Sequence, residues 1–398
     1  MDRGHGEGGA MRWGAGSVSG DGTRTAVLAL LARRGPLSRA QIAEILGLSP
    51  ATVTSSTRRL LAVGMLAEQE PRVPAAGRPS IPLRLVPRSA HAIGVQVALD
   101  HVATVLTRLD GVVVDGASWP FDPAAPEAVE RLTELIRGRI AEAARQRRPL
   151  LGVGVAVPGV VEPETGTLRM SVRLGWNGMP LAARLRAALG VPVFVDNDIS
   201  AVTVAERLYG PSAECADFLV VAIGQGIGAG LVLDGAPYRG AAGAAGEFGH
   251  LPILADGPEC VCGNRGCLET QASTEALARQ GREAGLIGPD AGVGELGALA
   301  VAGDERAREL FADAGALLGR ALAGVVNILG TSTVVVVGEI TPLWDHVRAA
   351  FDAALAAHLL PCVRETRIEV RPWEERLIAV AAAGIALGAP LAAPRQRG

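Results

Sequence analysis

Between residues 24 and 66, apolar positions recur at helical spacing in three short bursts. Val27, Leu28, Leu30 and Leu31 stripe a first helix over Thr25 to Arg33. Ser38-Arg-Ala-Gln41 reads as a capping box, and Ile42, Ile45 and Leu46 supply the apolar face of the second helix. Gly47 breaks that helix. Ser49-Pro50 then offers an N-cap followed by proline at the first helical position, and the third helix runs to about Ala62 with Val53, Leu60 and Leu61 inward. Ser56 and Thr57 stand where aliphatic residues would ordinarily be buried; their hydroxyls are expected to bond back to helix carbonyls.

Helix, glycine turn and helix at this spacing predict a helix-turn-helix. Residues 65–68 and 81–85 are expected to form the wing, joined through Gly77-Arg78-Pro79. The outward positions of the third helix are Ala51, Thr52, Thr54, Ser55 and Arg58. Arg58 suits guanine, Thr52 and Ser55 suit bases or phosphate, Arg59 suits phosphate, and Arg78 suits a narrow minor groove.

Beyond residue 90 the pattern changes to short strands. Ala92-Ile-Gly-Val-Gln-Val, then Ala103 to Leu109, ends at an Asp110-Gly111 turn; Phe218-Leu-Val-Val-Ala-Ile, then Gly228 to Leu233, ends at Asp234-Gly235. Each reads as strand, tight turn, strand, hairpin, strand. The repetition predicts a duplicated α/β fold, with ligands taken where such domains meet.

Charge and cysteines refine this. The 398 residues are 49% apolar and 20% charged, which marks a globular chain long enough for two or three domains. The net charge is −3, yet ten arginines stand against three glutamates between Gly22 and Arg88, a basic end suited to nucleic acid. The N-terminus lacks the apolar segment of a signal peptide, and residues 316–337 are interrupted by Arg320 and Asn327, so a membrane span is not expected. Three of the five cysteines, Cys260, Cys262 and Cys267, follow closely on Gly246-Glu-Phe-Gly-His250 and precede Glu269. Three thiolates and an imidazole form a donor set that tetrahedral zinc prefers. Clustered cysteines of this kind fit a reducing compartment, leaving Cys215 and Cys362 as isolated thiols.

Taken with Gly152-Val-Gly-Val-Ala-Val-Pro-Gly159, Asp196-Asn197-Asp198 and Gly224-Gln-Gly-Ile-Gly-Ala-Gly230, these motifs resemble the ROK family, specifically its transcriptional repressors, over residues 22 to about 390. The resemblance implies a winged helix-turn-helix followed by an actin-like, sugar-kinase (ribonuclease H-like) body of two lobes. It implies zinc held by His250, Cys260, Cys262 and Cys267, and a sugar held by Asn197, Asp198, Glu247, His250 and Glu269. With four protein ligands, such a zinc is structural. Asp198 matches the general base of the family's kinases. The phosphate loops depart from them: Gln96-Val-Ala98-Leu99-Asp100 replaces Asp-x-Gly-Gly-Thr, Gln225 replaces a hydroxyl residue, and Gly338-Glu339 replaces a glycine pair.

The expected organisation is a tail to residue 21, a winged helix with linker over 22–88, a first lobe over 89–210, a second lobe with the zinc loop over 211–390, and a short tail after it. The expected function is a cytoplasmic, sugar-responsive regulator, a repressor without catalytic residues of its own. Its partners would be a palindromic operator, a sugar or sugar-phosphate effector, and its own copies in a homodimer or homotetramer. The rival expectations are an ATP-dependent sugar kinase using Asp198 as base, and a regulator controlled by a protein partner with no small ligand.

Overall fold

The computed structural model describes residues 20–71 and 80–387. Its N-terminal elements are α1 (Gly20–Arg34), β1 (Leu37–Ser38), α2 (Arg39–Leu46), α3 (Pro50–Ala62), β2 (Leu66–Glu68) and β3 (Pro82–Leu85). Local chemistry sets the boundaries. Ser38 accepts from Gln41 N while the Gln41 side chain accepts from Ser38 N, completing the capping box at the head of α2. Gly47 closes α2 in the left-handed conformation, and Ser49 accepts from Thr52 N to open α3. The strands pair in the order β1-β3-β2, with Leu37 opposite Leu83 and Leu66 opposite Leu85, which is the expected wing.

A five-stranded sheet follows, built from β4 (His91–Val97), β5 (His101–Arg108), β6 (Val113–Pro120), β7 (Leu150–Val157) and β11 (Val193–Asn197), in the order β11-β7-β4-β5-β6. Between them run α4 (Ala128–Ala144), a small sheet of β8 (Val160–Glu162), β9 (Thr167–Ser171) and β10 (Trp176–Met179), and α5 (Leu181–Leu189). Helix α6 (Asp198–Tyr209) and a 3-10 turn over Pro211–Glu214 complete this part.

The second sheet repeats the first. Its strands are β12 (Phe218–Ile223), β13 (Ile227–Leu233), β14 (Ala236–Tyr238), β15 (Thr333–Val337) and β16 (Arg367–Val370), ordered β14-β13-β12-β15-β16. In both sheets an antiparallel meander leads into two parallel strands. The duplication expected from the two Asp-Gly turns is therefore present in the topology. Helices α7 (Glu269–Ala272), α8 (Thr274–Glu283), α9 (Val293–Ala302), α10 (Glu305–Leu329) and α11 (Trp344–His358) accompany it, and α12 (Leu377–Leu387) ends the described chain. Helix α10 is long and apolar enough to span a membrane, but its Phe311, Leu318, Leu322 and Val326 are buried in the core it shares with α11.

Contacts divide the described residues into two units. One comprises residues 20–71, 80–216, 233–236 and 378–387; the other comprises 217–232 and 237–377. Helix α12 thus packs almost wholly with the first unit and not with the second lobe expected over 211–390. The reason is close approach at two glycines. A Cβ on Gly94 would lie 1.9 Å from the Ala379 carbonyl oxygen, and one on Gly154 1.8 Å from that of Ala382. Only bare backbone in β4 and β7 lets α12 lie against the sheet. The winged helix belongs to this same unit: Val27, Leu30, Ile42, Val53, Leu60 and Leu83 share one apolar cluster with Ala92, Val105, Leu109, Ala379 and Ala383.

Candidate functional site

The loop after β14 gathers the metal-type donors. Gly246, with φ +96, lies so close to β13 that a Cβ would stand 1.9 Å from the Ala229 carbonyl oxygen. That contact seats the 3-10 turn Phe248–His250 against the strand. A short antiparallel hairpin follows, with bridges Pro252 to Cys267 and Glu259 to Arg265, closed by Cys260 N donating to Asn264 O at 2.8 Å. His250, Cys260, Cys262 and Cys267 then present ligand atoms all within 4.8 Å of one another. His250 Nδ1 lies 3.5 Å from Cys260 Sγ, and the sulfurs of Cys262 and Cys267 are 3.7 Å apart.

The His250–Cys260 and Cys262–Cys267 spacings fit zinc. Bonds of about 2.3 Å to sulfur and about 2.0 Å to nitrogen give tetrahedral edges of roughly 3.8 Å between sulfurs and 3.5 Å from nitrogen to sulfur. Burial pushes the Cys260 thiol well above its ordinary range, with Glu269 adding to the rise, and burial likewise raises Cys267. Against the cost of burial, the Asn264 backbone N–H and the neighbouring thiols hold Cys262 below the ordinary range. Thiols crowded this way are stabilised as thiolates by a cation.

The expected sugar residues fall on both units. In the second, His250 turns Nδ1 toward Cys260 and Nε2 toward Glu247, 3.6 Å from its Oε2. Glu269, the first residue of α7, is buried with Oε1 3.1 Å from Cys260 Sγ and 3.6 Å from His250 Nδ1. Burial raises the Glu247 carboxyl, opposed by His250 and reinforced by Glu269. In the first unit, Asn197 and Asp198 stand together at the head of α6. The Asn197 side chain has a scaffold role that sequence reasoning missed: its oxygen accepts from Ile199 N and Ser200 N, and Nδ2 donates to Gly159 O at 2.9 Å. A short polar residue directly before a helical run is an N-cap signal.

Backbone groups in both loops that depart from the kinase pattern are bonded within the chain. Where phosphate would need free N–H groups, Ala98 N donates to His101 O at 2.9 Å and locks β4 to β5 as a tight hairpin. In the second unit, Gly224 N donates to Gly226 O, and Gly224 O accepts from Thr274 N. The Glu339 carboxylate lies over this loop, 3.4 Å from where a Gly224 Cβ would be, and accepts from the Thr274 hydroxyl at 2.9 Å. The Thr274 partner carries no sequence motif.

On α3, Thr52, Ser55, Arg58 and Arg59 are exposed and Thr54 is half-buried, donating to Pro50 O at 2.7 Å. The Thr52 hydroxyl is 2.8 Å from the Ser49 hydroxyl. Ser56 and Thr57 face inward, and Thr57 bonds back to Val53 O at 2.8 Å. Arg39 crosses from α2 to Thr57 and to Glu68 in the wing. Arg78 lies outside the described residues.

A winged helix joined to a body of two repeated α/β units, one bearing a Cys3His cluster, defines a DNA-binding protein built on a sugar-kinase-like body. The chain belongs to the ROK family: the ROK family model matches residues 92–383, and a winged helix-turn-helix DNA-binding model matches 21–66. Among curated proteins it is 30% identical, over 354 residues and 87% of each chain, to the DNA-binding transcriptional dual regulator NagC of Escherichia coli K12. It is also 30% identical over 246 residues to the xylose repressor of Bacillus subtilis, covering 62% of this chain and 64% of that one. Among solved structures, a ROK family transcriptional regulator described as a homologue of the E. coli MLC protein aligns with a TM-score of 0.79 and 26% identity, covering 92% of this chain and 96% of that one. ROK hexokinase from Thermus thermophilus aligns at TM-score 0.61 and 27% identity, covering 75% of this chain and 97% of that one. The chain is a DNA-binding transcriptional regulator of this family.

Proposed function

We propose that this regulator is a sugar-responsive repressor that acts as a cytoplasmic homo-oligomer on a palindromic operator. One observation supports the reading: the acids expected to hold a sugar are kept, while Ala98 N is bonded to His101 O in the first loop and the Glu339 carboxylate lies against the second. A body that binds sugar without nucleotide has an equilibrium to shift and no reaction to perform. Relatives named N-acetylglucosamine repressor and xylose repressor support a sugar or sugar-phosphate effector.

The effector's hydroxyls would be taken by Asn197, Asp198, Glu247, His250 and Glu269, a mixture of amide, carboxylate and imidazole suited to groups that both donate and accept. Structural zinc would be held by His250, Cys260, Cys262 and Cys267 and would fix the loop on which Glu247 and Glu269 stand. His250 then keeps Nε2 for Glu247 or for a sugar hydroxyl. Thr52, Thr54, Ser55, Arg58 and Arg59 face DNA, with Arg78 reaching from the wing. Effector binding stabilises one of two conformations that differ in operator affinity.

Calorimetry with N-acetylglucosamine, glucose, their 6-phosphates and xylose tests the sensor. At least one binds, and Glu247→Ala abolishes that binding; silence across the panel sinks the reading. Asp198 favours one rival, a sugar kinase. Sugar-dependent ATP turnover that disappears in Asp198→Asn would establish it.

A further inference from the structure

Helix α6 is gripped at both ends. At its head, Asn197 caps the first turn and holds Gly159 O, with Asp198 as the first helical residue. At its foot, Gly210 N donates to Glu206 O, and Ser212 N donates to Glu206 Oε1 at 3.0 Å. The buried Arg207 donates Nη1 to Ala213 O and Nε to Gly235 O, the latter at 2.9 Å. The 3-10 turn Pro211–Glu214 is therefore tied to the helix and moves with it.

That turn ends on the DNA-binding domain. Glu214 pairs with Arg34 in the last turn of α1, and α1 packs along α6. Burial lowers the Arg33 guanidinium beside it, which Glu214 draws and Arg34 opposes; burial first and Arg33 second bring the Arg207 guanidinium down to about 10, against the Cys215 side chain. The Arg34–Glu214 pair is about half exposed, so it adds little to stability. A weak, exposed ion pair at the end of a packed helix is a contact that a small displacement can make or break.

We propose that α6 with its 3-10 turn is the rod that carries the effector's signal to the winged helix, and that Arg34–Glu214 is its coupling contact. This rests on the sugar-sensor reading above, because the rod's head is the pair Asn197 and Asp198. Twelve residues of helix span about 18 Å, and a sugar hydroxyl that draws on the Asn197 amide or the Asp198 carboxylate displaces the first turn of a rigid element. The apolar cluster that holds the α1 residues, against which Tyr209 packs, passes that displacement on as a change of register.

The test compares operator affinity with and without the sugar that calorimetry identifies from the panel, at fixed salt, in wild type, in Glu214→Arg, and in Arg34→Glu combined with Glu214→Arg. Wild type changes its operator affinity by a factor in the range of about 5 to 150. Glu214→Arg keeps its sugar affinity within about twofold yet loses most of that factor, and the charge-swapped double variant recovers it. An unchanged factor in Glu214→Arg, with sugar binding intact, overturns the rod while leaving the sensor standing. Loss without recovery in the double variant overturns the ion pair as the coupling contact. A wild type that binds sugar with no effect on DNA overturns the sensor reading and the rod with it.

Discussion

The Thr274 hydroxyl donates to the Glu339 carboxylate at 2.9 Å, and this contact seats an acid on the glycine loop at residues 224–226. The loop sequence still looks like a phosphate cradle, but a carboxylate lies against it. Glu339→Gly is expected to strengthen binding of ADP about tenfold or more, the effect of removing one close like charge. It is not expected to yield turnover, because Gln96, Ala98 and Leu99 still depart from the kinase pattern in the first loop. Fluorescence titration with a labelled nucleotide measures this; equal, negligible binding by both proteins would show that Glu339 is not what excludes the nucleotide.

The metal clamp makes a second prediction. Cys262→Ser, or prolonged chelation, should remove zinc and destabilise the loop carrying Glu247 and Glu269, by several kcal/mol given that structural zinc in small peptides contributes about 10 kcal/mol or more. Elemental analysis and thermal unfolding read the two effects. Properly folded wild type that contains no zinc would contradict the assignment of His250, Cys260, Cys262 and Cys267.

Asn197 needs a split test because it has two tasks. Asn197→Ala removes both the cap and the hold on Gly159, at a cost of about 1–2 kcal/mol from the cap alone. Asn197→Ser keeps a capping oxygen and loses the amide. Folding should therefore suffer in the alanine variant and be largely spared in the serine variant, while sugar affinity falls in both. Chemical denaturation beside calorimetry separates the outcomes; equal stability in the two variants would show that the cap contributes nothing.

Burial, with Arg148 and Arg108 nearby, lowers the pKa of His91 at the start of β4. The folded protein keeps His91 neutral, while the unfolded chain takes up a proton below its ordinary value of 6.5. The unfolded state then binds more protons, so stability falls as pH drops from about 6.5 toward the lower folded value. His91→Leu should flatten the stability profile over that range relative to wild type. Parallel profiles from pH 7 to 5 would refute this.

Much of this was legible in the chain, for identifiable reasons. Ser38 with Gln41, Gly47, and Ser49 with Pro50 are local rules, and the helix boundaries follow them. The two Asp-Gly turns gave away the duplicated sheets because a hairpin is written in neighbouring residues. The cysteines' closeness in sequence made their closeness in space easy to foresee. What escaped depends on distant segments. Thr274 meets Glu339 across 65 positions, and Arg34 meets Glu214 across 180. Nothing local marks either pair. Helix α12 returns to β4 and β7 for the same reason, since only the packed sheet reveals that Gly94 and Gly154 are bare so that a helix backbone can touch them.

Recognition by α3 makes the most direct prediction about DNA. Arg58→Ala should cost about 1–3 kcal/mol at the cognate site and relax sequence preference, whereas Arg59→Ala should weaken all sites alike and lower the salt dependence by about one unit. Binding to a random-sequence pool distinguishes the two; an unchanged profile for Arg58→Ala would mean that another face of α3 reads the bases.

The central claim is that a sugar held by the body changes affinity for DNA. The measurement is the operator dissociation constant at one salt concentration, with and without saturating amounts of the sugar selected by calorimetry, on a fragment the protein itself selects from a random pool. The account predicts a shift of at least about fivefold in wild type and none in Glu247→Ala. Sugar bound in the wild type with an unmoved operator affinity would contradict it.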